Sequence, residues 1–121
     1  MESLQYAIIR SNRPVNQWFG GKMSERAKLK LLAVLQDAQA ALRRPGNDFA
    51  WSQWDSAEEA LSMIDGHIAA IERGDASRLP ELGLLFAPTG SIQEVSVSSG
   101  WGEEFLGLAA RFDEAVARAK P

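Results

Sequence analysis

The chain has 121 residues, 45% apolar and 24% charged, with no cysteine and a net charge of −3. This is the make-up of one ordinary globular domain; it excludes disulfide scaffolds, thiolate metal sites, cysteine nucleophiles and wholesale coating of nucleic acid. No apolar run approaches the ~18 residues of a membrane span, and Met1-Glu2-Ser3-Leu4-Gln5 lacks the basic head of a signal peptide, so a cytoplasmic single domain over residues 1–121 is expected.

Residues 2–11 carry two patterns. Leu4, Tyr6 and Ile8 alternate as in a strand, whereas Leu4, Ile8 and Ser11 stack as in a helix with Glu2 in its first turn, and helix is favoured. Val15, Trp18 and Phe19 then have short-helix spacing before Gly20-Gly21. A helix is predicted from about 24 to 43, with Ala27, Leu31, Val34, Leu35, Ala38 and Leu42 on one face and Pro45-Gly46-Asn47-Asp48 as its stop. The strongest helix runs from about 56 to 73. Ser56 and Glu59 have capping-box spacing, Ala57, Ala60, Leu61, Ile64, Ile68 and Ile71 line one side, and Gly74 suits a left-handed terminus. Leu82–Ala87 and Ser91–Ser98, joined by Pro88-Thr89-Gly90, read as a β-hairpin with Gly90 at positive φ. A last helix spans about 102–119, with Phe105, Leu108, Ala109, Phe112, Val116 and Ala119 together and Ser98 or Ser99 as its cap. The expected fold class is α+β, mostly α: about four helices round one core, with a hairpin near residues 82–98 packed on them.

Signs of chemistry are sparse. His67, the only histidine, falls at the edge of the apolar stripe of its helix as a boundary or surface residue, and no carboxylate near it in sequence orients the ring. Gly20-Gly21-Lys22-Met23-Ser24 fails the phosphate-loop pattern, which needs an earlier glycine and Ser or Thr directly after the lysine. The glycines around Trp101 open a helix, but Glu103 and Glu104 would repel an anion there. The carboxylates show no metal-ligand spacing. No catalytic residue, cofactor or metal is therefore expected.

Trp18, Trp51, Trp54 and Trp101 make the chain rich in tryptophan. Packing explains most of them, stapling helix starts; an interface anchor is the functional alternative. Charge is split along the chain. Residues 1–44 hold eight bases and three acids (net +5), residues 45–121 five bases and 13 acids (net −8). Arg26, Lys28 and Lys30 stand near the start of their helix, where the dipole disfavours cations. Either the basic helix lies against acidic ones within the molecule, or one of the charged faces serves a partner.

The segment Leu85-Phe86-Ala87-Pro88-Thr89-Gly90-Ser91-Ile92-Gln93-Glu94-Val95, followed by Ser99-Gly100-Trp101-Gly102-Glu103-Glu104-Phe105, resembles a pattern of small bacterial proteins to which no activity is attached. In size and acidity the chain is also similar to the immunity proteins of bacterial toxin systems. That resemblance implies a non-enzymatic protein-binding module, its partner a basic toxin domain. The surface expected to carry binding comprises Trp51, Trp54, Glu58, Glu59, Asp65, Trp101, Glu103 and Glu104. The alternatives are a small enzyme or ligand-binding domain whose site converges only in three dimensions, and a regulatory nucleic-acid binder using residues 10–30. A homo-oligomer is compatible with each reading; a membrane partner is not expected.

Overall fold

The computed structural model describes residues 23–119, and all regular structure within them is helical. The helices are α1 (Glu25–Leu42), α2 (Ala57–Glu72), α3 (Leu79–Leu85), α4 (Ser91–Ser99) and α5 (Gly102–Ala119). The readings placed on residues 2–22 lie outside the described residues.

The three long helices start and stop on local signals. Ser24 caps α1 by accepting from the Ala27 amide at 3.1 Å, and Ser56 caps α2 by accepting from Glu59 at 3.3 Å. Gly74, at φ 77°, closes α2: its amide donates to Ile71 O at 2.8 Å and that of Asp75 to Ala70 O at 2.9 Å, so two otherwise orphaned carbonyls are satisfied. Each long helix turns its apolar stripe inward. Ala27, Leu31, Val34, Leu35, Ala38 and Leu42 of α1 are buried, as are Ala60, Ile64 and Ile71 of α2 and Phe105, Leu108, Ala109 and Phe112 of α5. Arg44 pairs with Glu104, and Arg111 with Asp37 at 2.7 Å. Moving up α1 therefore means moving down α5, and the two helices are antiparallel. Gln39 Nε2 donates to Asp65 Oδ1 at 2.7 Å, holding the last turns of α1 beside the first half of α2.

The expected hairpin is absent, and with it the α+β class. Residues 79–85 and 91–99 are helices, and Gly90, at φ −80°, is the N-cap of α4 rather than a left-handed turn residue. The buried side chains settle the period. Leu79, Leu82, Leu85 and Phe86 turn inward, then Ile92, Val95 and Ser96, in steps of three and four, while Leu84 and Val97 point to solvent. An apolar run this short supports either period by itself. A lone two-stranded ribbon would leave both of its edges unpaired, whereas each short helix meets most of its backbone hydrogen bonds internally. Phe86, at the end of α3, stacks on Phe112 of α5 with ring centroids 4.5 Å apart and 5° between planes. The offset this spacing allows suits two aromatic quadrupoles, and it brings the short helices onto the long ones.

Two smaller expectations also change. Ser98 and Ser99 end α4 instead of capping α5; left-handed Gly100, φ 89°, makes that ending, with Trp101 N donating to Ser96 O at 2.8 Å. His67 is buried, 2% exposed, because it lies three residues after Ile64 and four before Ile71, within the stripe rather than at its edge. Burial pushes its pKa below the ordinary histidine value; the positive charge of Arg78 acts the same way and Glu81 opposes it. A neutral imidazole follows.

Candidate protein-binding surface

Between α1 and α2 runs a connection, residues 43–56, without regular structure but dense in hydrogen bonds. Asn47 Nδ2 donates to Ala41 O at 2.9 Å and Leu42 O at 3.0 Å, closing the end of α1, while its Oδ1 accepts from Trp101 Nε1 at 2.9 Å. The next amide, Asp48 N, donates to Ser99 Oγ of α4 at 2.9 Å. Asp48 Oδ1 then accepts from Ala50 N at 2.9 Å, a turn of the kind Asp forms readily. Ser52 donates its amide to Phe49 O at 3.0 Å, and its hydroxyl accepts from Trp54 N at 3.1 Å.

Side chains fix the loop as firmly as the backbone does. Phe49 packs against the core and Trp54 is 1% exposed within it. Burying an indole removes ~200 Å² from water, worth about 5 kcal/mol at ~25 cal/mol per Å². That exceeds the ~1–3 kcal/mol lost because Trp54 Nε1 is buried without an acceptor. Between these two inward rings stands Trp51, 73% exposed, the most exposed large apolar side chain of the described residues.

The eight residues expected to bind a partner thus separate. Trp54 and Trp101 do not belong to a surface. Trp54 fills the core, and Trp101, 8% exposed, joins the loop to α5 through Asn47 with the Arg44 guanidinium 5.7 Å over its ring. Trp51 remains, together with exposed Glu58 and Glu59 in the first turn of α2. Those two carboxylates also complement the helix dipole, so their position has a structural reason besides any binding role. Asp65 is exposed but accepts from Gln39. Glu104 is tied to Arg44, whose hydrogen bond lowers the pKa of this carboxyl, while Glu103 beside it is exposed and makes no ion pair among the described residues. Asp48 and Asp55, not among the eight, are exposed as well. Residues 45–72 contain six acids and no lysine or arginine, so beyond Arg43 and Arg44 the loop and α2 carry negative charge only.

Sequence reasoning missed the polar frame: Asn47, Ser52 and Ser99. A signal existed in Pro45-Gly46-Asn47-Asp48, whose turn residues favour side-chain bonds to backbone. The partner of Asn47, 54 residues on in Trp101, had none. Among the described residues no three His, Asp or Glu side chains gather as a metal site requires, and no helix is long and apolar enough to cross a membrane. Among the described residues, the fold and loop define a helical domain that presents one exposed aromatic side chain, Trp51, on a hydrogen-bonded platform. No family model, curated protein or solved structure matches the chain.

Proposed function

We propose that this protein is a non-enzymatic binding module that docks a basic protein through Trp51 and the carboxylates around it. The observation that carries the reading is the exposure of Trp51 in a loop held by partly buried Phe49 on one side, by buried Trp54 on the other, and by hydrogen bonds. An exposed indole is unfavourable in water, and a loop already ordered loses little entropy on binding. Tryptophan is also the residue type most enriched among interface anchors. The acids Asp48, Asp55, Glu58, Glu59 and Glu103 match a cationic partner, steering its approach and rejecting acidic competitors. A basic toxin domain, neutralised by this protein as its immunity partner, has that chemistry.

The test compares wild type with Trp51→Ala and Glu58→Lys as baits in cytosol of the source organism, the captured proteins being identified by mass. The reading expects one strongly basic protein whose affinity falls about 30-fold or more with Trp51→Ala, the ~2 kcal/mol of an anchor residue. Its association rate should fall steeply with salt and with Glu58→Lys. Equal capture by wild type and Trp51→Ala would overturn the proposal.

A further inference from the structure

The unpaired cations of the start of α1 and the unpaired carboxylates of the loop and of the starts of α2 and α5 lie at opposite ends of the molecule. The register set by Arg44–Glu104 and Asp37–Arg111 puts Lys30 level with Arg118, so the first turns of α1 lie beside the end of α5. Arg26 is then about 27 Å along the helix axis from Arg44, at ~1.5 Å per residue. At this far end Lys28 pairs with Glu25 and Arg118 with Glu114, but Arg26 and Lys30 are exposed and make no ion pair among the described residues, against one exposed carboxylate without an ion pair there, Glu72 at the end of α2. They flank Leu29, which is 63% exposed. The near end carries Trp51 with Asp48, Asp55, Glu58, Glu59 and Glu103, none of them in an ion pair among the described residues, against one base unpaired among them, Arg43. The far end thus has an excess of unpaired cations beside Leu29, and the near end an excess of unpaired carboxylates on the side of Trp51.

We propose that the Arg26–Leu29–Lys30 face of one copy of this chain docks on the Trp51 face of a second copy, head to tail. Charge complementarity selects this occupant. Two like ends repel, so a symmetric pairing through either face alone is disfavoured, while the unlike pairing brings cations to carboxylates and Leu29 to the indole. The contact uses two different patches, so it does not close on itself in a dimer: a chain or ring of copies grows with concentration. Exposed charges drive it, so salt weakens it. Self-association covers Trp51 and hence competes with the basic partner proposed above, but it does not depend on such a partner existing.

The test uses the full chain alone in sedimentation velocity over a concentration series, at about 0.02 M and about 0.3 M salt, where the Debye length is roughly 20 Å and 6 Å. Wild type should sediment faster as concentration rises in low salt and as a monomer in high salt. Two variants act on one end each: Arg26→Glu/Lys30→Glu makes both ends acidic, and Asp55→Lys/Glu58→Lys cancels the acidic excess, leaving three acids against three bases at that end. Each alone should remain monomeric, and an equimolar mixture should regain association, because each supplies the end the other lacks. A monomeric wild type at low salt overturns the proposal, as does association of either variant alone or a mixture that stays monomeric. If the lysine variant melts early, Trp51→Ser replaces it in the single-variant arm. That substitution touches no buried side chain and should also abolish low-salt association. Wild-type behaviour in Trp51→Ser would refute the head-to-tail contact while leaving a hetero-partner open to the capture assay.

Discussion

Gly90→Ala tests the helical reading of residues 79–99 through sterics alone. Gly90 has φ −80° and ψ 171°, extended backbone open to any residue, so alanine meets no dihedral penalty. Space is what it lacks. A Cβ there would stand 2.8 Å from the carbonyl oxygen of Leu85 and closer still to that of Leu84. Both atoms are backbone in the last turn of α3, and Leu84 O also accepts from Ala87 N at 3.3 Å, so no side chain can swing clear. With room available, Gly→Ala would stabilise by ~0.4–1 kcal/mol through the unfolded chain, whereas overpacking costs roughly 1–3 kcal/mol. The net expectation is a loss of about 1–2 kcal/mol, or about 4–8 °C in Tm for a domain of this size. Calorimetry on Gly90→Ala, Gly90→Asn, Gly100→Ala and Gly100→Asn separates this cause from a left-handed turn. Gly100, at φ 89° with nothing within 4 Å of an added Cβ, suffers only the dihedral penalty, about 1–2 kcal/mol for alanine and less for asparagine. Asparagine should therefore relieve position 100 and worsen position 90. A Gly90→Ala protein that melts at or above wild type, or a Gly90→Asn protein milder than Gly90→Ala, would refute the close approach of α3 to α4.

Asn47→Ala removes both closures of α1 and strands the Trp101 indole N–H, so chemical denaturation should show a loss of about 2–4 kcal/mol; a change under 0.5 kcal/mol would mean the loop is not held this way. Trp51→Ala, by contrast, touches nothing buried and should leave stability within ~0.5 kcal/mol of wild type, checked by the same denaturation. The buried neutral imidazole of His67 makes stability depend on pH. Its folded pKa is depressed, so below the unfolded value of ~6.5 the unfolded chain binds more protons and stability falls as pH drops towards the folded pKa. Urea unfolding at about pH 7.5 and about pH 5.5 should show this fall in wild type and little of it in His67→Gln, whatever that variant's overall stability; an equal fall in both would assign the proton uptake elsewhere.

Three long helices were legible from sequence because their stripes are long and their ends chemically marked. Ser56 caps as its spacing implies, Gly74 closes α2, and α5 spans 102–119 as expected. These signals act within one or two turns, so no tertiary partner is needed to read them. Residues 82–98 were misread because their apolar run is too short to fix its own period. Packing chose the helix, through Phe86 on Phe112 and through the solvent exposure of Val97. His67 shows the same limit at a single residue: its distance from Ile64 and Ile71 was visible, but how wide a stripe the neighbouring elements cover depends on how they fold over α2. The candidate surface was half legible. Residue type and local acidity pointed to Trp51, Glu58 and Glu59 together with Trp54 and Trp101, since a tryptophan's affinity for a core and for an interface has one origin, its large apolar area. Only the fold separates them, because exposure is decided by contacts such as Asn47 with Trp101 between residues far apart in the chain. The charge split was plain in the sequence as net +5 and net −8. Where those charges lie relative to one another belongs to the antiparallel register of α1 and α5, which Arg44–Glu104 and Asp37–Arg111 reveal and no local pattern encodes.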